Sequence, residues 1–216
     1  MSMSYDFDFF TNAVRALETP KRFNHTLGVQ KEAYELGMIY MPKKAEKLAF
    51  AGLLHDITKD FNTDRQIELC KSYNISIDLN NIVPKLLHSK TGCEYARRTF
   101  GTELIDDEVY YGIYYHTTGR KNMNLFESII YLADYIEAGR TFVDCVILRE
   151  YFYGEIKKAQ SCAEKLEVLR KTMILSFDFT IKGLIEDGKQ IDSDTVEARN
   201  YFLTNENPFC GLDMEE

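Results

Sequence analysis

His55 and Asp56 stand side by side at the end of an apolar run, residues 48–54, and Lys59 follows three positions beyond the aspartate. The run reads as the buried face of a helix. Its end therefore offers a neutral nitrogen ligand and an anionic oxygen ligand in low-dielectric surroundings. An unpaired carboxylate is costly there, and a divalent metal is the strongest compensating cation available. The simpler reading is a helix end at which Asp56 pairs with Lys59 and His55 is a polar boundary residue.

The other histidines extend the pattern. The chain has four, His25, His55, His88 and His116, each near an apolar helical face or a helix end, and each on a different expected helix. One alone is more often a hydrogen-bonded core residue; four of four argue for a shared site, although spacing leaves their convergence open. Asp134 is the complementary anion, set in the apolar residues 129–136. It either pairs with an arginine such as Arg140 or shares a cation with Asp56, and one dication compensates both acids. Two imidazoles and two carboxylates form a mixed nitrogen and oxygen set. That set suits iron, manganese or zinc better than a thiolate-preferring ion.

These residues need a scaffold, and the punctuation of the chain is helical. A first helix is expected over residues 6–18, stopping before Pro20, and a second over 21–37 with His25, Val29 and Ala33 on one face. Pro42 opens a third, which carries the central run to His55 and Asp56. A capping-box pattern at Thr63 starts a helix that fades at Tyr73. Pro84 leads into residues 85–100 and a terminating Gly101, and Asp106 or Asp107 caps a segment ending at His116. A cap at Asn124 precedes an apolar helix over 128–138, a long helix spans 163–187, and Asp194 opens the last. Strand signals are scarce. The expected fold class is all-α, a compact multi-helix bundle without an internal linker or repeat, so residues 1–216 read as a single domain.

The chain is 216 residues long, enough to bury a full core, and its formal net charge is −8. No run of Lys or Arg is long enough to track a phosphate backbone, which argues against a polymeric nucleic acid partner and leaves single nucleotides open. Five scattered cysteines, Cys70, Cys93, Cys145, Cys162 and Cys210, with no C-x-x-C, fit reduced thiols in a cytoplasm. The N-terminus has no basic region, and no apolar stretch approaches a membrane span. The expected setting is cytoplasmic, with no membrane partner.

Taken together, His25, the His55-Asp56 pair and Asp134 resemble the H…HD…D signature of the HD-domain metal-dependent phosphohydrolases. The blocks at 21–29, 51–56, 115–120, 130–137 and 195–200 resemble one branch, the YqeK-like symmetrical bis(5′-nucleosyl)-tetraphosphatases. That likeness runs from about residue 20 to 203. Within it the His116-Thr117-Thr118-Gly119-Arg120 and Leu132-Ala133-Asp134-Tyr135-Ile136-Glu137 blocks are far more specific than the bare HD signature. The tail from Thr204 onward lies outside it.

The resemblance implies an HD-domain bundle, iron or a similar metal such as manganese, and hydrolysis of diadenosine tetraphosphate to two ADP. It makes His25, His55, Asp56 and Asp134 the metal ligands. It makes His88 and His116 either holders of a second metal or contacts to the phosphates. Asp56, Lys59, His88 and His116 are then the expected catalytic residues. Arg22, His25, Lys59, His88, His116, Asp134, Tyr135 and Arg140 are the expected nucleotide-facing ones. Residues 177–182 offer a further place for adenine, and Arg199 reads as structural. The oligomeric state stays open, a homodimer included. Two rivals remain: the same metal chemistry on another (deoxy)nucleotide, and a non-catalytic nucleotide sensor.

Overall fold

The computed structural model describes residues 5–77 and 83–209. Among these residues there are ten α-helices and no strand. Helix α1 (Phe7–Arg15) starts where the Asp6 side chain accepts from the Phe9 amide, and it buries Phe10 and Val14. Helix α2 (Pro20–Tyr40) is capped by Thr19, with Pro20 in its first turn, where a missing N–H costs nothing. Pro42 does not start the next helix directly. It opens a short 3-10 turn, Pro42–Lys44, that leads into α3 (Ala45–Leu54).

Helix α3 is the centre of the molecule, buried at every residue from Leu48 to Leu54. It lies unusually close to α2, and two glycines permit this. A Cβ at Gly37 would meet the Ala45 Cα at 2.8 Å, and one at Gly52 would meet the Val29 carbonyl oxygen at 3.1 Å. That close approach brings the His25 face of α2 against the end of α3.

Helix α4 (Thr63–Ser72) is capped by Asn62 rather than Thr63, because the Asn62 side chain accepts from the Arg65 amide. A second 3-10 turn, Pro84–Leu86, precedes α5 (Leu87–Phe100). Helix α6 (Asp107–Tyr114), capped by Asp106, ends two residues short of His116. Helix α7 (Leu125–Ile136) is capped by Asn124 as expected, and its whole middle section is buried against α2, α3, α6 and α9 (Cys162–Glu186). The last helix, α10 (Ser193–Thr204), begins at Asp192, not Asp194.

One element has no counterpart in the sequence reading: α8 (Val143–Ile156). Its N-cap is Phe142, which makes no side-chain capping bond, so the usual polar start signal is missing. The segment around Pro208, unassigned from sequence, folds back. The Tyr201 hydroxyl donates to the Pro208 carbonyl at 3.1 Å, and Phe209 packs beside Phe202 in the core. Cys210 lies outside the described residues; Cys70, Cys93, Cys145 and Cys162 are free thiols. Among the described residues no helix is long and apolar enough to cross a membrane.

Candidate active site

Five separate pieces of chain deliver side chains to one point. Helix α2 carries Arg22 and His25 in its first two turns. The turn after α3 carries His55, Asp56 and Lys59. The first turn of α5 holds His88, the turn after α6 holds His116 and Thr117, and the last turn of α7 holds Asp134.

All four imidazoles are oriented by their Nδ1 atoms. Nδ1 of His55, His88 and His116 stands 2.7 Å from the Gly52, Lys85 and Ile113 carbonyls respectively. Nδ1 of His25 stands 3.0 Å from Glu137 Oε1. A carbonyl or carboxylate oxygen only accepts, so each Nδ1 carries the proton and each Nε2 turns a lone pair inward. This is the arrangement by which proteins hold metal-ligating histidines.

The carboxylates meet those lone pairs. His25 Nε2 is 3.0 Å from Asp134 Oδ1 and 3.9 Å from Asp56 Oδ2. His55 Nε2 is 3.5 Å from Asp56 Oδ2 and 3.7 Å from Asp134 Oδ1. The other oxygen of Asp56, Oδ1, faces His88 Nε2 at 3.1 Å and His116 Nε2 at 3.4 Å, while those two nitrogens are 3.1 Å apart. Oxygen and nitrogen acceptors thus converge on a buried point. Three of these atoms, His25 Nε2, His55 Nε2 and Asp56 Oδ1, have no hydrogen-bond partner among the described residues.

Such a donor set fits a divalent cation. One group of ligand atoms from His25, His55 and Asp134 lies within 4.8 Å, and so does another from His55, Asp56 and His116. The electrostatics point the same way. Burial by itself disfavours an ionised Asp56, but His55 and His88 outweigh it and hold the carboxyl well below the usual range. For Asp134 burial is likewise outweighed, first by Arg140 and then by His25 and His55. Desolvation should lower His55, yet the two aspartates pull its pKa up to about 10, so that a proton takes the inward place on its Nε2 when no metal ion does. His88 has less anionic company, and burial takes it down to about 4. Burial also lowers His116 and Lys59. The centre draws positive charge inward.

Basic side chains surround it. Arg22 Nη1 is 2.8 Å from Asp56 Oδ2, and Arg140 grips Asp134 through both its side chain and its carbonyl. The arginine partner and the shared-cation geometry therefore coexist at Asp134. Lys59 Nζ is 2.9 Å from His88 Nε2 and 3.9 Å from Asp56 Oδ1. Two cavities open from the cluster. The larger, about 420 Å³, is lined by Lys59, His116, Asp134, Tyr135, Arg140 and Phe142 among others. The smaller, about 230 Å³, includes Lys59, Phe61 and His88. Arg22 lines neither and is engaged with Asp56.

All nine site residues from His25 to Arg140 named by the sequence reading stand around this centre, Tyr135 among them on the cavity wall. Residues 177–182 contribute Thr180 to that wall, but Phe177 is fully buried, packed between the rings of Tyr131 and Phe202, and belongs to the core. Arg199 pairs with Asp178 at 2.8 Å, and Arg120 forms a two-pronged pair with the buried Glu127 at 2.9 and 2.7 Å. Sequence reasoning passed over two neighbours of the histidines. Glu137 orients His25, and its adjacency to Asp134 in one block was the available signal. Thr117 places its hydroxyl 3.2 Å from His88 Nε2 and 3.1 Å from His116 Nε2.

A helical bundle with His and Asp side chains gathered at one buried centre defines an HD-type hydrolase scaffold. Residues 22–139 match the HD domain family, and the chain belongs to it. It is 30% identical over 182 residues to a Staphylococcus aureus protein named bis(5′-nucleosyl)-tetraphosphatase, symmetrical, covering 84% of this chain and 87% of that one. A protein of the same name from Halalkalibacterium halodurans is 32% identical over 185 residues, covering 86% and 90% of the two chains. The crystal structure of a predicted HD superfamily hydrolase involved in NAD metabolism from Clostridium acetobutylicum superposes with a TM-score of 0.79. It is 35% identical, with 94% of this chain and 99% of that one covered.

Proposed function

We propose that this chain is a metal-dependent hydrolase that cuts diadenosine tetraphosphate symmetrically into two ADP, working as one HD-type unit in the cytoplasm. The observation that carries the reading is the convergence of inward Nε2 lone pairs and two aspartates beside Lys59 and an open cavity. Relatives with the tetraphosphatase name over most of their length support the substrate. Free cysteines support a reducing compartment.

His25, His55, Asp56 and Asp134 would hold the metal; the mixed nitrogen and oxygen set suits iron, manganese or zinc, and the resemblance to the tetraphosphatases favours iron among them. His88 and His116 face each other as acceptors with Asp56 Oδ1 beside them, an arrangement that favours a second cation there. Bound metal supplies positive charge to the bridging phosphates and makes an attacking water easier to deprotonate.

The protein's own groups supply position and charge. Water adds to one of the two central phosphorus atoms, the central P–O bridge breaks, and the departing ADP keeps the bridging oxygen. The terminal phosphate of that ADP is a weak base, with a second pKa near about 6, so it leaves without a strong proton donor. Lys59 is placed to balance its charge, and Arg140, on the cavity wall, to hold a phosphate or ribose while fixing Asp134. Tyr135 and Phe142 line the larger cavity and are the aromatic rings available to adenine there.

Product analysis on a panel of nucleotides tests this. Diadenosine tetraphosphate should yield ADP alone. AMP plus ATP, or turnover restricted to deoxynucleotides or mononucleotides, would replace the proposal with another HD-type reaction. Nucleotide binding with no turnover in metal-replete, reducing buffer would make the chain a sensor.

A further inference from the structure

We propose that the smaller cavity receives the second nucleoside arm of the tetraphosphate substrate, an inference that rests on the hydrolase reading above. A substrate cut at its middle extends both ways from the scissile bridge, so the site needs room on two flanks. The structure has that room. The 420 Å³ cavity and the 230 Å³ cavity share Lys59. His116 lines the first and His88 the second, and their Nε2 atoms are only 3.1 Å apart. The histidine cluster is therefore the waist between two openings, where a central bridge would sit.

The lining of the smaller opening suits an anionic arm with an aromatic end. Lys59 and Lys85 bring two ammonium groups to it, and Asn62 and Thr63 bring polar side chains. Phe61 supplies a ring, held edge-on against Tyr95 with centroids 6.0 Å apart. Stacking on such a ring tolerates any base. At about 230 Å³ the space falls below the usual range for a whole ligand, about 300–1,000 Å³. It takes the phosphate and ribose end of the arm, with the base lying across the Phe61 rim. The two halves of a chemically symmetric substrate are thus bound unequally, one enclosed and one partly open.

The test compares diadenosine tetraphosphate with adenosine 5′-tetraphosphate, which lacks the second nucleoside and would be cut at the equivalent bridge to ADP and pyrophosphate. The quantity read is the ratio of kcat/KM for the two substrates in the wild-type protein, Thr63→Trp and Lys85→Glu. Thr63 and Lys85 are exposed, so at least one variant should fold normally. Wild-type protein should prefer the dinucleoside, and a drop of about tenfold in that preference in either variant supports the second subsite. A wild-type protein without preference, or a ratio unchanged in both variants, overturns the inference and leaves the hydrolase reading intact. Failure of the wild-type protein to cut either tetraphosphate removes both.

Discussion

Glu137 places its Oε1 atom 3.0 Å from Nδ1 of His25, a residue 112 positions earlier in the chain. Burial would raise the Glu137 carboxyl, but His25 and the Gly139 amide hold it below its ordinary value, so it stays an anionic acceptor. That keeps the proton on Nδ1 and leaves Nε2 free to bind metal. Glu137→Ala should therefore weaken metal binding by about 10–100-fold while the helices remain folded. Metal titration of the apoprotein, with circular dichroism as the control for folding, reads this. Equal affinity in the two proteins would reduce Glu137 to a packing role.

His88 is absent from the His25, His55 and Asp134 group, although it faces Asp56. His88→Ala should spare metal at that group and slow hydrolysis by about 10²–10⁴-fold, the span of a lost catalytic contact. Metal content and steady-state kinetics on one preparation separate the effects. Unchanged kinetics would make the residue structural.

Much of this centre was visible in the sequence because its members are chemically out of place. An aspartate inside 129–136 and a His-Asp pair closing an apolar run can hardly sit there without partners. Glu137 was less visible because an acid in the last turn of the helix expected over 128–138 reads as solvated, and only the fold reveals that it is 2% exposed. Helix α8 was missed for want of a polar cap, since Phe142 starts it without one. Phe177 looked like a nucleobase contact because ring spacing on a helix does not say which face is covered; the Gly119 turn lies so close over it that a Cβ added there would meet the Phe177 ring at 2.7 Å. The Lys59 contact to His88, across 29 residues, depends on how α5 enters and has no local signature.

Away from the centre, Glu32 is buried on α2 and accepts from the Tyr153 hydroxyl. Burial outweighs that hydrogen bond and raises its pKa from 4.5 to about 7. The unfolded chain releases this proton near 4.5 and the folded one near 7, so the native state binds more protons between them. The stabilising contribution of protonated Glu32 is fully present below 4.5 and is lost as pH rises through 7. Glu32→Gln should remove that loss, stabilising the protein at pH 8 by up to about 3 kcal/mol with little change at pH 4. Denaturant titrations at the two pH values measure it. A gain equal at both would contradict the assignment.

The α2 and α3 contact should be intolerant of bulk at Gly37, where an added Cβ meets the Ala45 Cα at 2.8 Å. Gly37→Val should cost about 1–3 kcal/mol by overpacking. Thermal unfolding would then shift down by about 2–4 °C per kcal/mol. An unaltered melting temperature would mean that the helices separate without penalty.

The account as a whole turns on Asp56, whose two oxygens face the two histidine pairs. The most direct measurement is metal content and tetraphosphate turnover of anaerobically purified wild-type and Asp56→Ala proteins, side by side. The wild-type protein should carry stoichiometric divalent metal and release ADP. The folded variant should lose the metal, with turnover reduced by at least about 10²-fold. A metal-free Asp56→Ala protein that still cleaves the tetraphosphate at the wild-type rate would contradict it.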